Sequence, residues 1–485
     1  MSLRKQVTKS LFWTFSDQVI VQLANMLFGL YIARLLGPAT FGITGIVLMF
    51  TNFAQLFIDM GFGSAIIHNQ KLNATHYSSV FWLNCFFAIG LYFLFYFASN
   101  WLALFFNQPI LGLVVKVSSL TLILNALCVV QFSLLIKELN FKRKAIINWI
   151  SLFFGYAVAI TMALKGYGVW AVVGMYLTNS FINVIVIWST ANWRPNLRFN
   201  KPALQTIWGY GIHAFGDNAL NYWSRNFDNF IIGKCLGTVQ LGIYTRAYSL
   251  MLLPVKNLST VIAKVFFPAF SQRQNDIPLL ALNYLKLIKY IALITFPLLI
   301  GLALISKEFV LLFLGQEWRE MIPVLSLLCI VGAIQSIVTL NGIIYYALGK
   351  TKIAFRISIM VNFVLILSFI IGVNFGILGV AWSYLIANIL LFYPVYTTAI
   401  SVLAIKLVDV FAVLKNIVLA VIIMVVCVCI LNQTIYFGLV IDFVLKIAIG
   451  FLAYFSSLYF FERKFITQLI VKSRTLFQKF NYENS

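Results

Sequence analysis

About fourteen stretches of roughly 20 apolar residues follow one another along this chain, each the length a helix needs to cross the hydrocarbon core of a bilayer. Their limits read 10–34, 40–62, 79–100, 110–136, 146–164 and 167–191 in the first half. In the second half they read 206–235, 240–268, 286–305, 322–348, 353–373, 377–402, 413–432 and 437–461. In lipid every backbone N–H and C=O must find its partner inside the protein, and apolar runs of this length satisfy that demand as helices. Composition agrees: 62% of the 485 residues are hydrophobic and 10% charged, too little polar surface to cover a water-soluble globule of this size. The chain reads as an all-α polytopic membrane protein.

A repeat organises these spans. Slid forward by 200 positions, Phe15, Asp17, Gly37, Gly42 and Ile43 fall on Phe215, Asp217, Gly237, Gly242 and Ile243 without a gap. The nonapeptide from Arg34 to Gly42, RLLGPATFG, is echoed by KCLGTVQLG from Lys234 to Gly242. Repeats this far apart in an apolar chain are the mark of transporters built from two homologous bundles. A weaker echo sets Gly168-Val169-Trp170-Ala171 at the start of the sixth span beside Gly379-Val380-Ala381-Trp382 at the start of the twelfth. The expected organisation is two pseudo-symmetric six-helix lobes, 1–195 and 196–405, followed by two extra C-terminal helices and a tail over 406–485.

Lys and Arg number 35 against 13 Asp and Glu, a net charge of +22. Gathered on one soluble face, that excess would suggest nucleic acid; here it lies in short loops, so nucleic acid is not an expected partner. Alternate loops carry most of it: Lys9; Lys71; Lys137, Lys142, Arg143, Lys144; Arg194, Arg198, Lys201; Arg273; Lys350, Lys352; Lys406; and the tail from Arg463. Cations are retained on the cytoplasmic side, so both termini are expected there. The six cysteines stand singly in apolar stretches and read as packing residues. His68, His76 and His213 form no metal-ligand spacing, no Walker loop is present, and outer loops are minimal. Neither a cofactor nor an enzyme's catalytic set is expected.

The seventh span carries the most chemistry. At 100° per residue Asp217, Asn221, Arg225 and Asp228 share a sector of about 80°, a polar stripe that must face water or protein rather than lipid. The eighth span adds Arg246, Lys256 and Lys264 on one face, with Pro254 expected to kink it. The first span offers Gln18, Gln22 and Asn25 with Asp17 beside them, and the second ends in Asp59. One reading makes Arg225, Lys256 and Arg246 the cations of a water-filled cavity that attracts an anionic head group, lined also by Asn221, Gln22 and Asn25. The alternative pairs Arg225 with Asp228 one turn on and lets Arg246 and Lys264 snorkel to opposite interfaces. Asp17, Asp217 and Asp228 are the candidates for coupling to a proton or sodium gradient.

Several segments taken in order carry a family resemblance: GPATFG, DMGFGSAII (Asp59 to Ile67), LLIKELNFKRKA (Leu134 to Ala145), NFDNFIIGKCLG (Asn226 to Gly237), GIYTRAYSLMLLPV (Gly242 to Val255), VFFPAFS (Val265 to Ser271), WREMIPVLSLL (Trp318 to Leu328) and NGIIYYALGKT (Asn341 to Thr351). Over spans one to twelve the chain resembles the Wzx-type polysaccharide exporters of the multidrug/oligosaccharidyl-lipid/polysaccharide superfamily, nearest the colanic-acid-exporter-like branch. The resemblance implies a bacterial inner-membrane flippase that moves a polyprenyl-pyrophosphate-linked oligosaccharide to the outer leaflet by alternating access. The polymer would be capsule, O-antigen or exopolysaccharide. Membrane lipid, a polysaccharide polymerase and a chain-length regulator are the implied partners. A lipid II-type flippase and an ion-coupled drug exporter are the competing readings within the superfamily, and an envelope-assembly membrane enzyme is the competitor outside it.

Overall fold

The computed structural model describes residues 3–69, 71–197, 200–434 and 438–463; the side chains at 3–8, 11, 201, 203, 205–214, 217, 220, 224, 257–265, 267–269 and 434 lie outside the description. The described chain is helical throughout: α1 (Leu3–Asp59), α2 (Phe62–His68), α3 (Ala74–Phe105), α4 (Pro109–Ser118), α5 (Leu120–Lys137), α6 (Phe141–Leu164), α7 (Val169–Thr190), α8 (Lys201–Cys235), α9 (Gly237–Gln272), α10 (Ile277–Leu304), α11 (Ser306–Phe309), α12 (Met321–Ala347), α13 (Thr351–Gly372), α14 (Gly376–Val402), α15 (Leu407–Thr434) and α16 (Leu439–Phe461). Ten stretches are long and apolar enough to cross a membrane, and two of them, Phe12–Asp59 and Thr351–Val402, run 48 and 52 residues and suffice for two crossings each. Breaks at Gly37 and at Val373–Phe375 divide these two. The more polar α8 and its neighbour α9, 35 and 36 residues long, fall on the seventh and eighth stretches expected from sequence. Large side chains such as Phe97, Leu104 and Phe460 are more than 70% exposed, as lipid-facing residues are.

Element boundaries follow local chemistry. Asn73 caps α3, its Oδ1 accepting from the backbone N–H of Thr75 (3.2 Å) and His76 (3.4 Å), so the glycosylation-like tripeptide Asn73-Ala74-Thr75 is a helix start. Asp276 caps α10 through the N–H of Leu279 at 3.1 Å, with Pro278 in the first turn. That cap starts the helix well before the apolar run at 286. The linker near 192–200 is fastened to the start of α3: the Trp82 indole donates to Asn196 O (2.8 Å), and Ser78 and Ser79 accept from the N–H of Asn196 and Asn200. The helix starts of spans six and twelve match at Gly168 and Gly376, both at positive φ. Gly379 instead lies one turn inside α14, packed on the Gly372 backbone, which displaces the sequence echo by three residues.

The chain divides into two compact units, Met1–Thr245 and Arg246–Ser485. In the first, α6 lies along α7, α3 along α4 and α5, and α1 reaches α6 and α8. Phe62, Ile66, Val80, Phe81 and Val130 pack one end, and Ile32, Tyr156, Ala159 and Val172 another. Here the repeat becomes geometry. Gly37 and Gly237 take φ 68° and 86°, a region in which side chains with a Cβ are strained, and each breaks its helix at the same place in the repeat. The following turns cross in contact: a methyl group on Gly42 would collide with the carbonyl oxygen of Thr238, and one on Gly242 with the carbonyl oxygen of Pro38. Positions 38 and 238, like 42 and 242, are repeat equivalents, so the contact is reciprocal, as across a local two-fold axis. Backbone approach this close between membrane helices needs small residues.

The second unit is centred on α10, which packs on α12 and α15. Tyr284, Ile288, Ile337, Tyr396, Ile417 and Tyr454 are fully or nearly fully buried in its core. Two ion pairs hold α16 to this core. Lys446 Nζ lies 2.7 Å from Glu308 Oε1 in α11, with side chains 7% and 5% exposed. At the other end of α16, Glu462 Oε1 accepts from Lys289 Nζ (2.7 Å) and from Asn416 Nδ2 (2.9 Å). Ionisable groups withdrawn from water in this way persist only when paired.

Two expected outcomes follow from these contacts. Gly42→Ala and Gly242→Ala should each lower the stability of the solubilised protein by about 1–3 kcal/mol or more, as overpacking does. Gly90→Ala, where nothing lies within 4 Å, is the control and should be neutral. Thermal unfolding followed by size-exclusion fluorescence reads the difference, and a neutral Gly42→Ala would contradict the close crossing. Lys446→Met should cost about 3–5 kcal/mol by stranding the Glu308 carboxylate, and adding Glu308→Gln should recover part of that loss. Equal stability of the single and double variants would show that the pair is not coupled.

Candidate functional site

Within the first unit, α8 is fixed to the second part of α1 by aromatic contacts. Tyr222 donates its hydroxyl to Met49 O at 2.7 Å, and its ring lies 5.7 Å from that of Phe53. Trp223 meets the same Phe53 ring at 5.2 Å. This anchoring sets the rotation of α8 and so decides which polar side chains face inward. Asn221 and Arg225 are exposed, one turn apart, and Arg225 Nε donates to Asn221 Oδ1 at 3.0 Å. Asp228, one turn further on, is 5% exposed; its Oδ2 accepts from the Tyr244 hydroxyl of α9 at 3.0 Å and its Oδ1 from the N–H of Asn229 at 2.8 Å. The stripe drawn from sequence is therefore divided. Its Arg225 end is exposed and held by an amide, and its Asp228 end is buried and held by a tyrosine. Asp217, on the same helix, has its side chain outside the described residues.

Two of the residues expected on the first span, Asp17 and Asn25, bond to α6. Asp17 Oδ2 accepts from Asn148 Nδ2 at 3.1 Å, while its Oδ1 is buried without a hydrogen-bond partner. Asn25 Oδ1 accepts from the Tyr156 hydroxyl at 2.7 Å. Gln22, between them, is half-buried. Asp59 accepts from the N–H of Gly63 at 2.9 Å and so holds the turn into α2. In the second unit Arg246 is half-buried and Lys256 exposed on α9, and the Lys264 side chain is outside the described residues. The helix continues through Pro254.

Polar groups that the sequence reading passed over also gather in the first unit. Thr44, Thr51, Asn52 and Gln55 of α1, Thr121 and Asn125 of α5, and Tyr176 and Ser180 of α7 line a half-open cavity of 110 Å³. Their signal was present in the spacing, since 44, 51, 52 and 55 fall on one face of a helix. Single neutral polar residues inside apolar spans are common enough that the pattern stands out only once three helices bring their stripes together. Glu308 and Lys446 were missed for a different reason. They are 138 residues apart, and no local periodicity connects them.

The chain is similar to proteins of known naming. It is 27% identical over 394 residues to the lipopolysaccharide biosynthesis protein WzxC of Escherichia coli (strain K12), covering 80% of each chain. It is 27% identical over 399 residues to the teichuronic acid biosynthesis protein TuaB of Bacillus subtilis (strain 168), covering 81% of this chain and 82% of that one. Among solved structures, the lipid II flippase MurJ in an inward closed conformation superposes with a TM-score of 0.74 at 17% identity, over 95% of this chain and 100% of the other, which establishes a shared fold. The model of the family described as polysaccharide biosynthesis protein matches residues 31–323, more than half of the sequence, and the chain belongs to that family.

Proposed function

We propose that this protein is a flippase that moves a polyprenyl-pyrophosphate-linked oligosaccharide from the cytoplasmic to the outer leaflet of a bacterial inner membrane, by alternating access, with both termini in the cytoplasm. It acts as a transporter and not as an enzyme. The observation that carries this reading is the state of Arg225: a cation on a membrane-spanning helix, exposed, and held by the Asn221 amide while Asp228 engages Tyr244. Such a guanidinium retains donors for a phosphate oxygen, and its planar fork suits a pyrophosphate. Arg246 and Lys256 are the further cations assigned to the anion, and Asn221, Gln22 and Asn25 contribute hydrogen bonds to the cargo. A drug exporter selecting cations would gain nothing from these positive charges.

Coupling to a proton or sodium gradient is assigned to Asp17, Asp217 and Asp228. Asp17 is the best supported of these, because one of its carboxylate oxygens is buried without a partner and so has capacity for a proton or a cation. Downstream, a polymerase would consume the translocated unit, with a chain-length regulator as a further partner.

Arg225→Ala and Lys256→Ala are each expected to lower export of the lipid-linked unit about tenfold or more, the loss of one charge-assisted hydrogen bond, with membrane abundance unchanged. Wild-type export in both variants would remove the anion-holding role. Asp17→Asn is expected to abolish the dependence of transport on the imposed gradient, measured in vesicles with the gradient set and then collapsed. Unaltered gradient dependence would take coupling away from this residue.

A further inference from the structure

The 110 Å³ cavity in the first unit is a different kind of site from the cations of α8 and α9. Four helices contribute polar side chains to it, Thr44, Thr51 and Gln55 from α1, Ser118 from α4, Thr121 and Asn125 from α5, and Ser180 from α7, with Val47, Leu48, Leu122 and Val173 between them. Among the described residues no Asp, Glu, Lys or Arg lines it, so these supply neither a charge to neutralise an anion nor a carboxylate for a cation. Its threonines have committed their protons: Thr44 donates to Thr40 O (3.0 Å), Thr51 to Val47 O (2.9 Å) and Thr121 to Ser118 O (2.6 Å). Each oxygen therefore keeps its lone pairs as acceptors. Asn125 Nδ2 donates to Gln55 Oε1 at 3.4 Å, leaving the amide N–H groups of Gln55 and the carbonyl of Asn125 as a donor and an acceptor. At the mouth stand the exposed Asn52 amide and the Tyr176 ring, 37% exposed.

A neutral site rich in acceptors, with a few amide donors and an aromatic ring at its rim, matches a ligand that is uncharged and carries many hydroxyls. The volume holds about three to four waters at about 30 Å³ each, enough for one edge of a sugar ring reaching in from the mouth. An acyl or polyprenyl tail would leave the remaining Gln55 and Asn125 amide groups unused and is disfavoured, while Val47, Leu48, Leu122 and Val173 offer contact to the apolar face of a sugar ring. We propose that this cavity is a subsite for one uncharged sugar of the cargo, so that the first unit selects the lipid by its glycan while the cations hold the pyrophosphate. This assignment rests on the flippase reading above and adds to it the part of the substrate that is recognised and the residues that recognise it.

The test is native mass spectrometry of the full chain in nanodiscs, with two probes: the lipid-linked oligosaccharide extracted from a strain lacking the protein, and polyprenyl pyrophosphate without sugar. Wild type is expected to favour the glycan-bearing lipid at least tenfold. In Gln55→Leu and Asn125→Leu that preference should fall toward unity, with binding of the bare pyrophosphate lipid unchanged. Asn52→Leu, at the exposed mouth, supplies the same comparison where a buried variant fails to fold, and should reduce the preference several-fold. A wild-type preference that survives in the folded variants would overturn the subsite and leave the cavity as hydrated packing, with the flippase reading intact. No wild-type preference at all would overturn it equally. Failure of the wild type to translocate the lipid-linked oligosaccharide in the same nanodisc-forming lipids, reconstituted as vesicles, would reject the flippase reading and the subsite together.

Discussion

The close crossing of Gly42 and Gly242 is the contact on which the first unit is built. Each glycine admits the other segment's backbone, Thr238 in one case and Pro38 in the other, at a separation that a single methyl group would forbid. Because those four positions are related by the repeat, the contact is formed twice by the same chemistry, and neither copy can drift without straining the other. The positive φ of Gly37 and Gly237 just upstream turns both chains into the crossing. From there α8 is laid on α1, Tyr222 is brought to Met49 O, and the face of α8 that carries Asn221 and Arg225 is left exposed.

Polarity inside a membrane protein is costly, and each polar group described above is managed in its own way. Asp228 is held by a tyrosine hydroxyl and a backbone N–H. Glu308 and Lys446 cancel one another, and Lys289 with Asn416 holds Glu462. Threonine hydroxyls in the 110 Å³ cavity donate to their own helix. Arg225 is different, since among the described residues its partner is the Asn221 amide, which carries no counter-charge.

The fold was largely legible before any coordinates, because its signals are local. Apolar runs set the helices to within a few residues, and glycines at a fixed offset marked the repeat. Boundaries moved where capping chemistry outranked hydropathy: Asp276 starts α10 nine residues ahead of its apolar run, and the glycine that opens α14 is Gly376 rather than Gly379. The polar stripe of α8 was legible as a stripe. Its division between an exposed Arg225 and a buried Asp228 was not, because that depends on Tyr244, sixteen residues on and in the next helix. The neutral cavity was the least legible, since Gln55, Asn125 and Ser180 acquire meaning only when packing brings three helices together.

Translocation itself is the measurement that tests the central claim most directly. Purified protein would be reconstituted into vesicles with the lipid-linked oligosaccharide confined to the inner leaflet, and a glycosidase that cannot cross the bilayer would be added outside. The expected result is time-dependent cleavage that requires the protein and is slowed at least tenfold by Arg225→Ala. Glycan that stays protected with the wild-type protein present, under either an imposed proton or an imposed sodium gradient, would contradict the assignment.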